Sequence, residues 1–131
     1  EIKREYKELE GDPQIKGKIR SRMQQMLTQN LPKTVRESDV IITNPTHYAV
    51  ALKYDAETMP GPMLTAKGED ANAQVIKRLA KDNNVPILEN RPLARTLYTE
   101  VEIGAIIPDK YWMALTNIYK VVYELNEKSK K

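Results

Sequence analysis

Residues 39–52 read Asp39-Val40-Ile41-Ile42-Thr43-Asn44-Pro45-Thr46-His47-Tyr48-Ala49-Val50-Ala51-Leu52. Val40, Ile41, Ile42 and Thr43 are all β-branched, and such side chains fit the pleated surface of a strand. After Asn44-Pro45-Thr46-His47, the residues Tyr48, Val50, Leu52 and Tyr54 alternate with Ala49, Ala51 and Lys53, a period of two. The stretch therefore predicts two strands joined at an Asn-Pro turn. The pleat places His47 on the face of Ala49 and Ala51, away from Tyr48.

On the C-terminal side, prolines break 59–63 (Met59-Pro60-Gly61-Pro62-Met63) into an apolar, exposed loop. A strand is expected at 64–66, with Lys67-Gly68-Glu69-Asp70 turning into a helix striped by Ala73, Ile76, Leu79 and Ala80. Asn83-Asn84 ends that helix, 85–88 forms a short strand, and Pro92 opens a helix with Leu93, Ala94, Leu97 and Tyr98 on one face. Residues 103–107 connect to a last helix opened by Pro108-Asp109, whose Trp112, Leu115, Ile118, Tyr119, Val122 and Leu125 are spaced for burial. Alternating strands and helices imply an α/β domain over 39–131, a small mixed β-sheet covered by helices.

On the N-terminal side, 1–38 reads as a basic helical arm. Ile15, Ile19, Met23 and Leu27 recur every four residues. Lys16, Lys18, Arg20, Arg22, Lys33 and Arg36 carry no acid among them. Gly11-Asp12-Pro13 is a hinge, with Asp12 suited to cap and Pro13 to open the helix. The arm suits either packing on a protein surface or contact with anionic lipid headgroups.

The 131 residues make one domain's worth of chain plus this arm. No apolar run approaches the roughly 18 residues that span a bilayer. The chain begins at Glu1, not Met, and has no signal-peptide pattern, which suggests a fragment of a longer protein. With no cysteine and one histidine, disulfides, thiolate catalysis and Cys/His metal sites drop out; no metal or cofactor is expected, and a cytosolic setting fits. The pI of about 9 raises nucleic-acid binding, but the basic arm lacks interleaved aromatics, so no nucleic-acid partner is expected. Serines at 21, 38 and 129 stand far from His47 in sequence, which disfavours a Ser-His hydrolase.

The tetrapeptide Asn44-Pro45-Thr46-His47 is either a plain turn or a self-cleaving one. Pro45 has no N–H, so the usual attack of the following nitrogen on the asparagine side chain is blocked. The reverse attack stays open: the Asn44 side-chain nitrogen on its own carbonyl carbon closes a succinimide and expels Pro45. A tight turn supplies the orientation, and well-oriented intramolecular reactions reach effective molarities of about 10⁵ M or more. Thr46 is a candidate to set a hydroxyl or N–H near the developing oxyanion, and His47 to accept a proton or orient Asn44. The loop at Pro60 and Pro62 is a second candidate, either a partner contact or a simple connection.

Several motifs occur together: Glu10-Gly11-Asp12-Pro13, residues 39–52, Ala66-Lys67-Gly68, Pro92-Leu93-Ala94-Arg95 with Leu97-Tyr98, and Ile107-Pro108. In that order they resemble the cytoplasmic domain of the FlhB/YscU family of type III secretion export switch proteins. Lys16-Gly17-Lys18-Ile19-Arg20 and Thr65-Ala66-Lys67-Gly68 suit its flagellar branch better than the injectisome branch.

The resemblance implies an N-terminal membrane anchor in the parent protein and a domain at the cytoplasmic face of the inner membrane. It implies a single self-cleavage between Asn44 and Pro45, with catalytic residues Asn44, Pro45, Thr46 and His47. The cut pieces would stay associated and permit export to change from rod and hook to filament substrates. Implied partners are export substrates, the hook-length control protein and other export-gate components. The rival reading is a scaffold domain whose Asn-Pro turn is never cut.

Overall fold

The computed structural model of the chain describes residues 30–129. The helix expected around 15–27, its hinge and its lipid contact lie outside the described residues. A compact unit spans Pro32–Lys131. At its start lies α1, Leu31–Glu37, whose Val35 is fully buried. The Ser38 hydroxyl then donates to the Thr34 carbonyl at 2.7 Å and shares a 2.8 Å hydrogen bond with Thr65 Oγ1. Residues 34–38, polar but for Val35, are thus tied to the sheet.

Four strands form one mixed sheet: β1 (Val40–Asn44), β2 (Tyr48–Lys53), β3 (Met63–Glu69) and β4 (Ile87–Glu89), in the order β3-β2-β1-β4. The central hairpin pairs β1 and β2 antiparallel from Val40↔Leu52 to Asn44↔Tyr48, and β4 joins β1 in parallel. A central strand is covered on both sides, which explains why Val40, Ile41, Ile42 and Thr43 are all buried.

Alternation sorts the side chains onto two faces. Val40, Ile42, Val50, Leu52 and Leu64 share a core with Leu93, Ala94 and Leu97 of α3 (Arg91–Glu100) and Leu115, Tyr119 and Val122 of α4 (Trp112–Ser129). The opposite face carries Ile41 with the small Ala49, Ala51 and Ala66, the last brought there by a register shift opposite Ala51/Leu52, and it admits α2 (Ala71–Asp82) with its buried Ala73, Ile76 and Ala80. Asn90 caps α3 by accepting from the Leu93 N–H at 3.2 Å.

Two expectations change. Lys67-Gly68-Glu69 is the end of β3, not a helix cap: it pairs with β2 as Val50↔Lys67, Ala49↔Gly68 and Tyr48↔Glu69. Cross-strand pairing overrides the weak strand propensity of Lys, Gly and Glu. A Cβ on Gly68 would lie 2.9 Å from Asn72 Cβ and 3.0 Å from the Asn72 backbone, so glycine lets the first turn of α2 fold back over the strand. On α4, Leu115, Tyr119 and Val122 are buried as expected, whereas Trp112 and Leu125 remain 37% and 39% exposed. Among the described residues no helix is long and apolar enough to cross a membrane.

Candidate functional site

Asn44 is the last residue of β1, and residues 45–47 form the turn into β2. Proline fixes φ near −65°, which suits the second position of a β-turn. The His47 N–H closes the turn on the Asn44 carbonyl oxygen at 3.0 Å. That carbonyl is the one a succinimide-forming attack would strike. A donor already aimed at its oxygen polarises the carbon and would stabilise the oxyanion. The sequence reading assigned this place to Thr46; the geometry gives it to the backbone of His47. The Thr46 hydroxyl instead reaches the Asn44 side chain, donating to Oδ1 at 3.4 Å.

His47 is the last turn residue, not a residue within the strand. Its imidazole, 62% exposed, has Nδ1 4.0 Å from Asp70 Oδ1, and its ring centre is 6.0 Å from that of Tyr48. The side chain therefore stands in solvent near Asp70, and the expected placement away from Tyr48 is corrected: strand alternation does not extend into a turn.

The β3–α2 junction holds the turn from outside the hairpin. The Asp70 N–H donates to the His47 carbonyl at 2.8 Å, and Lys77 Nζ on α2 lies 3.4 Å from the Pro45 carbonyl oxygen. Asp70 adopts φ 50°, ψ −115°, a region that side chains with a Cβ rarely enter. Such conformations cost about 1–3 kcal/mol and persist where surrounding contacts over-determine them. Sequence reading missed both residues. Asp70 reads only as part of the turn into α2, whose N-cap position it occupies, and Lys77 carries no local signal beyond lying four residues after Ala73.

Behind the turn, Tyr48 stacks on Tyr98 with ring centres 4.7 Å apart. Lys67 Nζ reaches the Tyr98 and Val101 carbonyls at the end of α3, each at 2.9 Å. Burial raises the Tyr98 phenol pKa above its ordinary value, and the neighbouring Glu69 adds to the shift.

Pro60 and Pro62 do not join this site. With Gly61 they edge an apolar cavity of about 300 Å³, walled also by Tyr54, Trp112, Tyr119 and Tyr123. A Cβ on Gly61 would come within 2.5 Å of the Trp112 ring, so the loop and the indole are closely apposed. Tyr54 lies beyond the far end of β2 from the turn, about 20 Å along a strand rising ~3.3 Å per residue. Among the described residues no group of three or more His, Asp or Glu is placed to hold a metal.

With this geometry in hand, comparison with known proteins gives one answer. The sequence matches the model of the FlhB HrpN YscU SpaS family over residues 1–122. It is 46% identical over 128 residues to the flagellar biosynthetic protein FlhB of Borreliella burgdorferi, covering 98% of this chain and 34% of that protein. It is 48% identical over 128 residues to the protein of the same name from Bacillus subtilis, covering 98% and 36%. The chain thus spans about a third of the length of these relatives. The solved cytoplasmic domain of FlhB from Shewanella putrefaciens superposes with a TM-score of 0.73 at 33% identity, covering 78% of each chain. A mutated EscU C-terminal domain superposes at 0.69 with 32% identity, covering 70% of this chain and 92% of that one. Matched along nearly its whole length and in its fold, the chain belongs to the FlhB HrpN YscU SpaS family.

Proposed function

We propose that this chain is the cytoplasmic switch domain of a flagellar type III export protein, and that it cuts itself once between Asn44 and Pro45. The observation that carries the reading is the 3.0 Å hydrogen bond from the His47 N–H to the Asn44 carbonyl oxygen, at a bond whose leaving residue is proline. Asn44 Nδ2 attacks the Asn44 carbonyl carbon, and the oxyanion forms against the His47 N–H. The C–N bond to Pro45 breaks, one proton leaves Nδ2 and one reaches the Pro45 nitrogen. The products are a succinimide at residue 44 and a free Pro45 amine; water then opens the imide. The chain turns over once and is not a turnover enzyme.

Paired strands keep the pieces together. β1, the last strand of the 1–44 piece, lies between β2 and β4 with Val40, Ile41 and Ile42 fully buried. The cut changes charge and freedom at the turn, where the export apparatus would read it and pass from rod and hook to filament substrates. The aromatic cavity at Pro60 and Pro62 is the candidate contact for an export substrate or gate component. The parent protein would carry this domain at the cytoplasmic face of the inner membrane, with the basic arm near anionic lipid.

The flagellar assignment draws on relatives named FlhB at 46% and 48% identity over nearly the whole chain. EscU C-terminal domains have been solved with an asparagine replaced and with the following proline replaced, the residue types found here at Asn44-Pro45. The test is a denaturing gel of the purified chain beside Asn44→Ala. The parent should run as pieces of 44 and 87 residues and the variant as one band; a whole parent, or a variant cut at the same bond, refutes the reading.

A further inference from the structure

The turn is held by more than its own hairpin. Three of its four carbonyl oxygens have defined donors: Asn44 O receives the His47 N–H at 3.0 Å, His47 O the Asp70 N–H at 2.8 Å, and Pro45 O the Lys77 ammonium at 3.4 Å. Two of those donors come from outside the hairpin, Asp70 at the β3–α2 junction and Lys77 on α2 itself. Lys77 is only partly exposed, between the buried Ile76 and Ala80 on the side of α2 that meets the sheet. Its reach onto the turn follows from α2 lying close over Gly68.

We propose that Lys77 is a positioning residue for the Asn44–Pro45 scission; this deepens the self-cleaving reading and rests on it. A contact to the Pro45 oxygen sets a positive charge beside the Pro45–Thr46 peptide, on the leaving side of the scissile bond. At 3.4 Å the contact is long for a directional hydrogen bond, so the fixed charge contributes more than the geometry of the donor. A cation beside the carbonyl of the leaving residue draws electron density from it and makes its nitrogen a less basic, more readily expelled amine. The oxyanion that develops on Asn44 is met by the His47 N–H, so Lys77 acts on the leaving side of the bond.

The experiment follows single-turnover cutting by intact mass after rapid refolding of the full chain from denaturant, for the parent, Lys77→Met and Lys77→Arg. The same two substitutions in an Asn44→Ala chain, which cannot react by this route, report on the fold through thermal melting. Lys77→Met is expected to slow cutting by about tenfold or more and Lys77→Arg to restore it to within a few-fold, with melting of both uncleavable chains near that of Asn44→Ala. Equal rates in the parent and Lys77→Met overturn the proposal while leaving self-cleavage standing. A slow Lys77→Met whose uncleavable counterpart melts much lower also overturns it, since the role is then structural. A parent that never cuts refutes the self-cleaving reading itself, before any variant is compared.

Discussion

The backbone N–H of His47 and the carbonyl oxygen of Asn44 meet at 3.0 Å, so the residue that polarises the scissile bond does so through its main chain. The imidazole is directed toward Asp70 in solvent. His47→Ala keeps the N–H and should still cut, within about tenfold of the parent rate. His47→Pro removes the donor, and loss of one oxyanion donor costs about 10²–10³ in rate. Refolding kinetics by mass spectrometry distinguish the two; equal impairment of both variants would place the essential group on the side chain.

Pro45 acts by what it lacks. Pro45→Ala supplies an N–H and relaxes φ, which opens attack of the Ala nitrogen on the Asn44 side chain. The expected product is an intact chain that slowly exchanges an amide for a carboxyl at residue 44, with chain cutting slowed or absent. Cutting of Pro45→Ala at the parent rate would show that the ring has no part in directing the reaction.

Asp70, at φ 50° and ψ −115°, sits where glycine is comfortable. Asp70→Gly retains the N–H that donates to the His47 carbonyl and should raise stability by about 1 kcal/mol, since relief of strain outweighs the added chain entropy. Asp70→Val should lower it by more than that. Urea unfolding of both in an uncleavable Asn44→Ala chain measures the difference, and a destabilised Asp70→Gly would show that the carboxylate matters more than the backbone.

Tyr119 donates to Asp39 Oδ2 at 3.0 Å, and the same carboxylate oxygen accepts the Tyr54 N–H at 2.7 Å. Burial, then the Asp39 charge and hydrogen bond, hold the Tyr119 phenol far above its ordinary pKa. Below pH ~10 the phenol is protonated in both folded and unfolded chains; above it the unfolded chain releases the proton while the folded one retains it, so stability falls as pH rises. Tyr119→Phe should cost about 1 kcal/mol at neutral pH and flatten the alkaline decline, with Tyr98 leaving a residual slope. Parallel melting curves from pH 9 to 11 for the two chains would contradict this.

The central hairpin was legible because its chemistry is local: four β-branched residues, a proline turn and a clean alternation. Local patterns also placed α2 and α3, whose stripes are buried at Ala73, Ile76 and Ala80 and at Leu93, Ala94 and Leu97, and they singled out the turn. The extension of β3 through Lys67-Gly68-Glu69 was hidden, since these residues are strand-like only by pairing with Tyr48, Ala49 and Val50. The same long-range register brings Asp70 and Lys77 onto the turn, and no period along the chain encodes that. The α4 stripe was legible as a helix, but the same spacing cannot distinguish residues facing the core, such as Val122, from those walling a cavity, such as Trp112.

The most direct measurement is the intact mass of the chain quenched in acid at early times after refolding. Cyclisation at Asn44 gives a 45–131 piece beginning with Pro45 and, first, a 1–44 piece lighter by one water than the free acid, which later gains that water. An uncut chain, or a 1–44 piece carrying the full water from the earliest cut molecules, would contradict self-cleavage through Asn44.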